Sequence, residues 1–326
     1  MIANLIELIF INFGVTIIVL ALLININEEH LPKIIVQTFR YGKHAYKGAP
    51  SQLIASCEIP KGYFKHFYVF AIVWAGLISS LGAAVYCAHV QLPEWILSGL
   101  DLLCGSERHA KSRSFTLFSS NEIHQLPLSH SATELSTFLA IGLLTLQCIR
   151  RFYETQFVQI FSNSSKMNLT HYVVGYFHYF GAFLLVLAQA PGFTRDSVPL
   201  KPLLLTDLTI HHVASIGLFL YAWYHQFQSN LILSNLRRNK TGTIVTQKHL
   251  LPTGGYFEYL SAPHMFFEIV MYVALYILLF GNTSFVYVLL WVLTNQIENS
   301  WLCHKWYLET FKDYPEQRKA IIPLVF

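Results

Sequence analysis

Three clusters of polar and ionisable side chains stand out because each interrupts or closes an apolar run. The first is Arg150-Arg151-Phe152-Tyr153-Glu154-Thr155. On a helix, Arg150 lies four residues and Arg151 three residues before Glu154, so either arginine can ion-pair with it on one face. A snorkelling basic pair that anchors a helix end accounts for the same residues without chemistry. The second cluster is His264, Glu268 and Tyr272, spaced i, i+4 and i+8 along one helix face. An interhelical hydrogen-bond network explains that row most simply. Metal is the weakest option: one row offers few ligands, no HxxHH box occurs, and His211-His212 is the only adjacent histidine pair. The third cluster is basic and aromatic. It contains Asn235, Arg237, Arg238 and Lys240, then Pro252-x-Gly254-Gly255-x-Phe257-Glu258-Tyr259, then His304-Lys305-Trp306-Tyr307 and Tyr314 to Lys319. Arg and Lys can pair phosphates while aromatic rings stack on bases, so an anionic ligand that carries rings would suit it. An interfacial aromatic belt with basic loops gives the same pattern. There is no GxGxxG and no Walker A sequence, so a dinucleotide could bind only in a pocket between helices.

The elements that must position these residues follow from composition. Hydrophobic residues make up 54% of the 326 residues and charged residues 12%, with 22 basic and 18 acidic side chains. Mean hydropathy is +0.43. So few charges cannot coat a water-facing surface of this size, which excludes a soluble globular class. A net charge of +4 does not suit a nucleic-acid module, and five scattered cysteines without a CxxC form neither a disulfide framework nor a zinc site. The chain reads as an all-α, polytopic membrane protein whose surroundings are the lipid bilayer.

Seven charge-poor runs approach the ~20 residues that a membrane helix needs: 8–26, 67–90, 135–149, 171–190, 212–236, 265–280 and 285–303. The run 135–149 is short and should extend both ways. The segment 92–104 holds Pro93, Glu94 and Asp101 and reads as interfacial. The first run follows Glu7, with no basic n-region or clear cleavage site, and reads as a retained span. Lys and Arg divide 17 to 5 between alternate connecting segments. The positive-inside rule then predicts a lumenal N-terminus and a cytosolic C-terminus. Lys43 and Lys47 fall in the larger group, and Arg108, Lys111, Arg113, Arg195 and Lys201 form the smaller. The Asn-x-Ser/Thr sequons at Asn163, Asn168, Asn239 and Asn282 read as chance matches.

Several segments together resemble the steroid 5α-reductase family of membrane reductases. They are NLRRNKTG (235–242), LPTGGYFEYLSAPHMFFE (251–268), HKWY (304–307) and YPEQRKAIIPLVF (314–326), so the likeness is strongest over about 205–326. RRFYETQFVQIFS (150–162) resembles a motif of both the branch that reduces polyprenal and the related enoyl-CoA reductases, and IPKGYFKHFY (59–68) is similar to a segment typical of the former. Residues 1–50 and 91–130 add nothing to the likeness.

The resemblance implies NADPH as cofactor, lying near Asn235, Arg237, Tyr259, His264, Glu268, His304, Tyr307 and Arg318. It implies saturation of the α,β-double bond of a polyprenal, a long polyisoprenoid aldehyde, for dolichol and protein N-glycosylation, in the endoplasmic reticulum membrane. Residues 1–130 would shape the lipid side, and 131–326 would carry the cofactor. Tyr153, a protonated Glu154 and Glu58 are the expected donors to the developing enolate oxygen; Glu58 matches a family acid before a Leu-Pro or Val-Pro pair. Two differences separate the chain from the steroid branch: Arg151 stands where that branch has a tyrosine, and His264 replaces a family asparagine. A steroid 4-ene reductase, a trans-2-enoyl-CoA reductase, a seven-span receptor and a non-catalytic isoprenoid-binding protein remain the alternatives.

Overall fold

Each of the seven apolar runs becomes a helix. The computed structural model describes residues 3–40, 48, 51–106, 132–162, 165–195 and 199–322. Its helices are α1 (Leu5–Asn27), α2 (Lys33–Phe39), α3 (Gln52–Ser56), α4 (Phe64–Tyr86), α5 (Glu94–Cys104), α6 (Glu134–Tyr153), α7 (Leu169–Leu187), α8 (Ile210–Asn235), α9 (Pro263–Leu278) and α10 (Phe285–Thr310). The expectations that involve Lys43, Lys47, Arg108, Lys111, Arg113, Asn163, residues 323–326 and the boundary at 130/131 lie outside the described residues.

Local chemistry sets the helix starts. Asn4 Oδ1 accepts from the Glu7 backbone N–H at 3.0 Å, Thr133 Oγ1 from Ser136 N–H at 3.1 Å, and Asn168 Oδ1 from Thr170 N–H at 2.9 Å. Each satisfies a donor that the first helical turn leaves open. Pro263 begins α9, where its missing N–H costs nothing. Arg150 and Arg151 close α6, where the helix dipole favours cations. As expected, α6 extends the 135–149 run in both directions.

Among the described residues, four helical stretches are long and apolar enough to cross a membrane: Leu5–His30, Lys61–Tyr86, Glu134–Val158 and Leu169–Leu187. The chain is a multi-pass membrane protein. The helices α8 and α10 have 26 residues each but are less apolar, and α9 has 16. The 11 residues of α5 span only about 16 Å, too little to cross. Arg195, just beyond α7, holds that helix through Glu94, Asp101 (2.7 Å) and Ser98 (2.9 Å). The two carboxylates raise the already high pKa of Arg195.

A small antiparallel sheet departs from the all-α expectation. Strand β1 (Glu58–Pro60) pairs with β2 (Lys166–Asn168), with Glu58 opposite Asn168, Ile59 opposite Met167 and Pro60 opposite Lys166. These segments lead into α4 and α7, so the pairing fixes two helix entrances side by side. Backbone pairing across 108 residues is carried by no local hydrophobic period, which is why it escapes sequence reading.

The helices α8, α9 and α10 pack in sequence, α4 packs on α6 and α7, and α1 returns against α10. Gly181 of α7 permits the closest approach of α1: a Cβ there would stand 2.7 Å from the Phe10 ring and 3.1 Å from Ile6. Between α9 and α10, the Asn282 side chain donates to the carbonyls of Leu185 and Val186 and accepts from Ser284 and Phe285 N–H. That buried, fully engaged amide makes its sequon a structural turn. Asn168 caps α7, and Asn239 shapes the turn through Thr243.

Candidate active site

A cavity of about 800 Å³ opens between α1, α4, α7, α8, α9 and α10, at the end of the bundle where α6 and α8 finish. Its lining includes the apolar side chains of Phe13, Ile17, Leu20, Phe67 and Val292. The lining also gathers the polar and ionisable side chains of Tyr68, Arg151, Tyr179, Gln226, His264 and Glu268. Arg237, His249 and Tyr307 also line it.

Tyr68, Arg151, Gln226, His264 and Glu268 belong to one connected network. Arg151 donates to the Tyr68 hydroxyl from Nη2 (2.9 Å) and Nε (3.2 Å), and its guanidinium lies 4.9 Å from the Tyr68 ring centroid. Its Nη1 pairs with Glu154. Glu154 is fully buried; it also accepts from Asn230 Nδ2 at 3.1 Å and lies 3.5 Å from Arg150 Nε. Arg150, buried in turn, donates to Gln147 Oε1 (2.8 Å), to Gln226 Oε1 and to the Trp223 carbonyl. Gln147 and Gln226 then donate to Glu268, and Gln226 to the His264 carbonyl at 2.9 Å. Buried charges held this way keep fixed positions, since each loses heavily if its partner leaves. A π-helical turn, Glu154–Val158, follows α6; Gln159 N–H reaches the Glu154 carbonyl at 2.7 Å. Such turns recur at functional sites.

Deeper in the bundle, Trp291 Nε1 donates to His178 Nδ1 at 3.1 Å, and His178 Nε2 lies 2.7 Å from the Tyr272 hydroxyl. An indole N–H can only donate, so His178 Nδ1 is an acceptor and its proton sits on Nε2. The His264, Glu268 and Tyr272 row is thus engaged across helices, through Glu268 and Tyr272.

Of the residues expected to hold a cofactor, Arg237, His264, Glu268 and Tyr307 line the cavity. Arg237 reaches the Ile160 carbonyl and lies 3.0 Å from His249 Nδ1; partial burial lowers its pKa from the usual guanidinium value. His304 and Arg318 brace the C-terminal segment instead. Ser261 Oγ lies 2.7 Å from His304 Nδ1, and Arg318 donates to the Pro252 carbonyl at 2.9 Å. The Ser261 backbone N–H reaches the Lys319 carbonyl at 2.8 Å. Burial raises the pKa of Tyr314 within this brace. Asn235 and Tyr259 are exposed and outside the cavity wall.

None of the three expected donors lines the cavity. Tyr153 belongs to an exposed stripe with Ile149 and Phe157, four residues apart on the outer face, and packs on Phe157 and Phe227. Glu154 lies behind Arg151. Glu58 sits in β1, 3.9 Å from Lys166 Nζ. Sequence reading missed Tyr68, Tyr179, Gln226 and His178. Tyr68 lies within the IPKGYFKHFY segment, which is the signal that could have found it.

Comparison with known proteins fits this arrangement. A family model described as 3-oxo-5-alpha-steroid 4-dehydrogenase matches residues 202–326. A Drosophila melanogaster protein named polyprenal reductase is 44% identical over 325 residues, covering 99% of this chain and 93% of that protein. Polyprenal reductases of Xenopus laevis and Danio rerio are 34% and 35% identical, each over 88% of this chain, covering 84% and 85% of those proteins. The chain therefore belongs to the steroid 5α-reductase family of oxidoreductases, in its polyprenal reductase branch.

Proposed function

We propose that this protein reduces the α,β-double bond of polyprenal with NADPH, giving dolichal for dolichol synthesis and protein N-glycosylation. The observation that carries this reading is the mixed lining of the cavity: apolar side chains such as Phe13, Ile17 and Leu20 together with the charged groups Arg151 and Glu268. An isoprenoid tail needs the first and an aldehyde oxygen the second. A volume of about 800 Å³ falls within the ~300–1,000 Å³ of small-molecule and cofactor sites.

The residues present fit NADPH. Arg237 offers a cation for phosphate at the cavity wall, Tyr307 and Trp291 offer aromatic faces, and Glu268 and His264 offer polar groups for an amide. Bound there, the cofactor supplies a hydride to the β-carbon of the enal. Arg151 adds positive charge to the polar lining that meets the developing enolate oxygen, and its guanidinium is fixed by Glu154 and by its hydrogen bonds to the Tyr68 hydroxyl. Phe13, Ile17 and Phe67 exclude water from that oxygen, which strengthens the electrostatic effect.

In this reading all seven helices α1, α4 and α6 to α10 cross the endoplasmic reticulum membrane, with the N-terminus lumenal and the C-terminus cytosolic. Residues 1–130 shape the lipid-substrate side, and 131–326 carry the NADPH site. The purified protein should oxidise NADPH when polyprenal is added, and not with testosterone or a trans-2-enoyl-CoA. Oxidation with either of the latter alone would replace the substrate. Silence with all three and no NADPH binding would overturn the enzymatic reading.

A further inference from the structure

The hydrogen-bond directions around Tyr68 hold more than a structural contact. A guanidinium carries donors and no acceptor. Both Arg151 contacts, at 2.9 and 3.2 Å, therefore use lone pairs of the Tyr68 oxygen, and the phenolic proton is left over. Among the described residues no acceptor takes that proton, while Tyr68 is buried and lines the cavity. Arg151 cannot swing aside, because Glu154 grips it from the same turn of α6 and Asn230 and Arg150 grip Glu154. The Tyr179 ring packs beside it, with its centroid 5.8 Å from that of Tyr68.

We infer that Tyr68 is the catalytic donor of the reduction: its hydroxyl hydrogen-bonds the aldehyde oxygen and protonates it as the enolate forms, while Arg151 stabilises the phenolate left behind. The inference rests on the reading above. The hydride and its electron pair form the new bond at the β-carbon, and the π pair of the double bond moves to make the enolate. The Tyr68 O–H bond breaks and its proton forms the enol. The enol proton then returns to Tyr68 as the α-carbon takes a proton from a water molecule, whose hydroxide passes to bulk solvent and is neutralised there. The balance is one hydride and one proton added to the substrate, with Tyr68 regenerated. Arg151 is a positioning residue in this step. A charge-assisted contact to the phenolate oxygen is about twice as strong as one between neutral groups.

The test needs no cofactor. A conjugated aldehyde absorbs at longer wavelength when its oxygen accepts a strong hydrogen bond, so a short branched enal such as citral serves as the probe. The wild-type protein should red-shift citral, Tyr68→Phe should abolish the shift, and Tyr179→Phe and Tyr153→Phe should retain it. With NADPH and polyprenal, Tyr68→Phe should lower kcat on the order of 10²-fold, with the KM for NADPH within about twofold of wild type. Arg151→Lys keeps a cation and should preserve the shift with a smaller loss of kcat; it gives an independent test if Tyr68→Phe fails to fold. A shift that survives in Tyr68→Phe, disappears in Tyr179→Phe, or is lost in Arg151→Lys overturns the proposal. If polyprenal is not a substrate but testosterone gives a shift that Tyr68→Phe removes, Tyr68 stands and only the substrate reading fails.

Discussion

Arg151 and Glu154 are joined by an ion pair across one turn, yet only Arg151 lines the cavity, while Glu154 lies fully buried behind it. Glu154 therefore acts on the site through the arginine. Glu154→Gln should lower kcat while leaving the KM for NADPH near wild type. Glu154→Ala strands the buried Arg150 and the partly buried Arg151 and should cost about 3–5 kcal/mol of stability. Turnover and thermal unfolding in detergent check both, and unchanged turnover in Glu154→Gln would remove this residue from the mechanism.

Tyr153, one residue away, makes the opposite case. The residue is 49% exposed, and its ring packs on Phe157 and Phe227. Tyr153→Phe should turn over polyprenal at the wild-type rate. A loss comparable to that of Tyr68→Phe would mean that the outer face of α6 takes part in the reaction.

Arg237 combines a cavity-lining guanidinium with contacts to the Ile160 carbonyl and His249. Arg237→Ala should raise the KM for NADPH by on the order of tenfold, the worth of one charge-assisted contact of about 1.5 kcal/mol. The KM for polyprenal should change little. An effect confined to the lipid substrate would contradict the placement of the phosphates.

Gly181 sets how near α1 comes to α7. A Cβ at this position would meet the Phe10 ring at 2.7 Å, so Gly181→Val should cost about 1–3 kcal/mol through overpacking. Thermal unfolding should show a lowered midpoint, and an unchanged midpoint would mean that α1 shifts freely in the membrane.

The helices were legible because apolar period and length are local properties. Runs such as 8–26 and 171–190 became α1 and α7 within a few residues of their expected ends. The i, i+4 logic also placed His264 with Glu268 on the cavity wall, and Arg150 with Glu154 in one buried network. The expected donors Tyr153, Glu154 and Glu58, by contrast, do not line the cavity. Tyr153 and Glu154 are successive helical residues that point about 100° apart, and α6 turns Tyr153 outward while Glu154 is buried.

What the sequence determined by itself is therefore the membrane-embedded helical scaffold, the family and the chemical types gathered at one end of the bundle. Tertiary structure alone decided which of those groups meet. Tyr68 and Arg151 are 83 residues apart and become partners only because α4 packs along α6. The strand pairing of Glu58 with Asn168 likewise has no local signature. A side chain's role in this cavity depends on which neighbour can donate to it and which cannot, and that is fixed by the packing of distant helices.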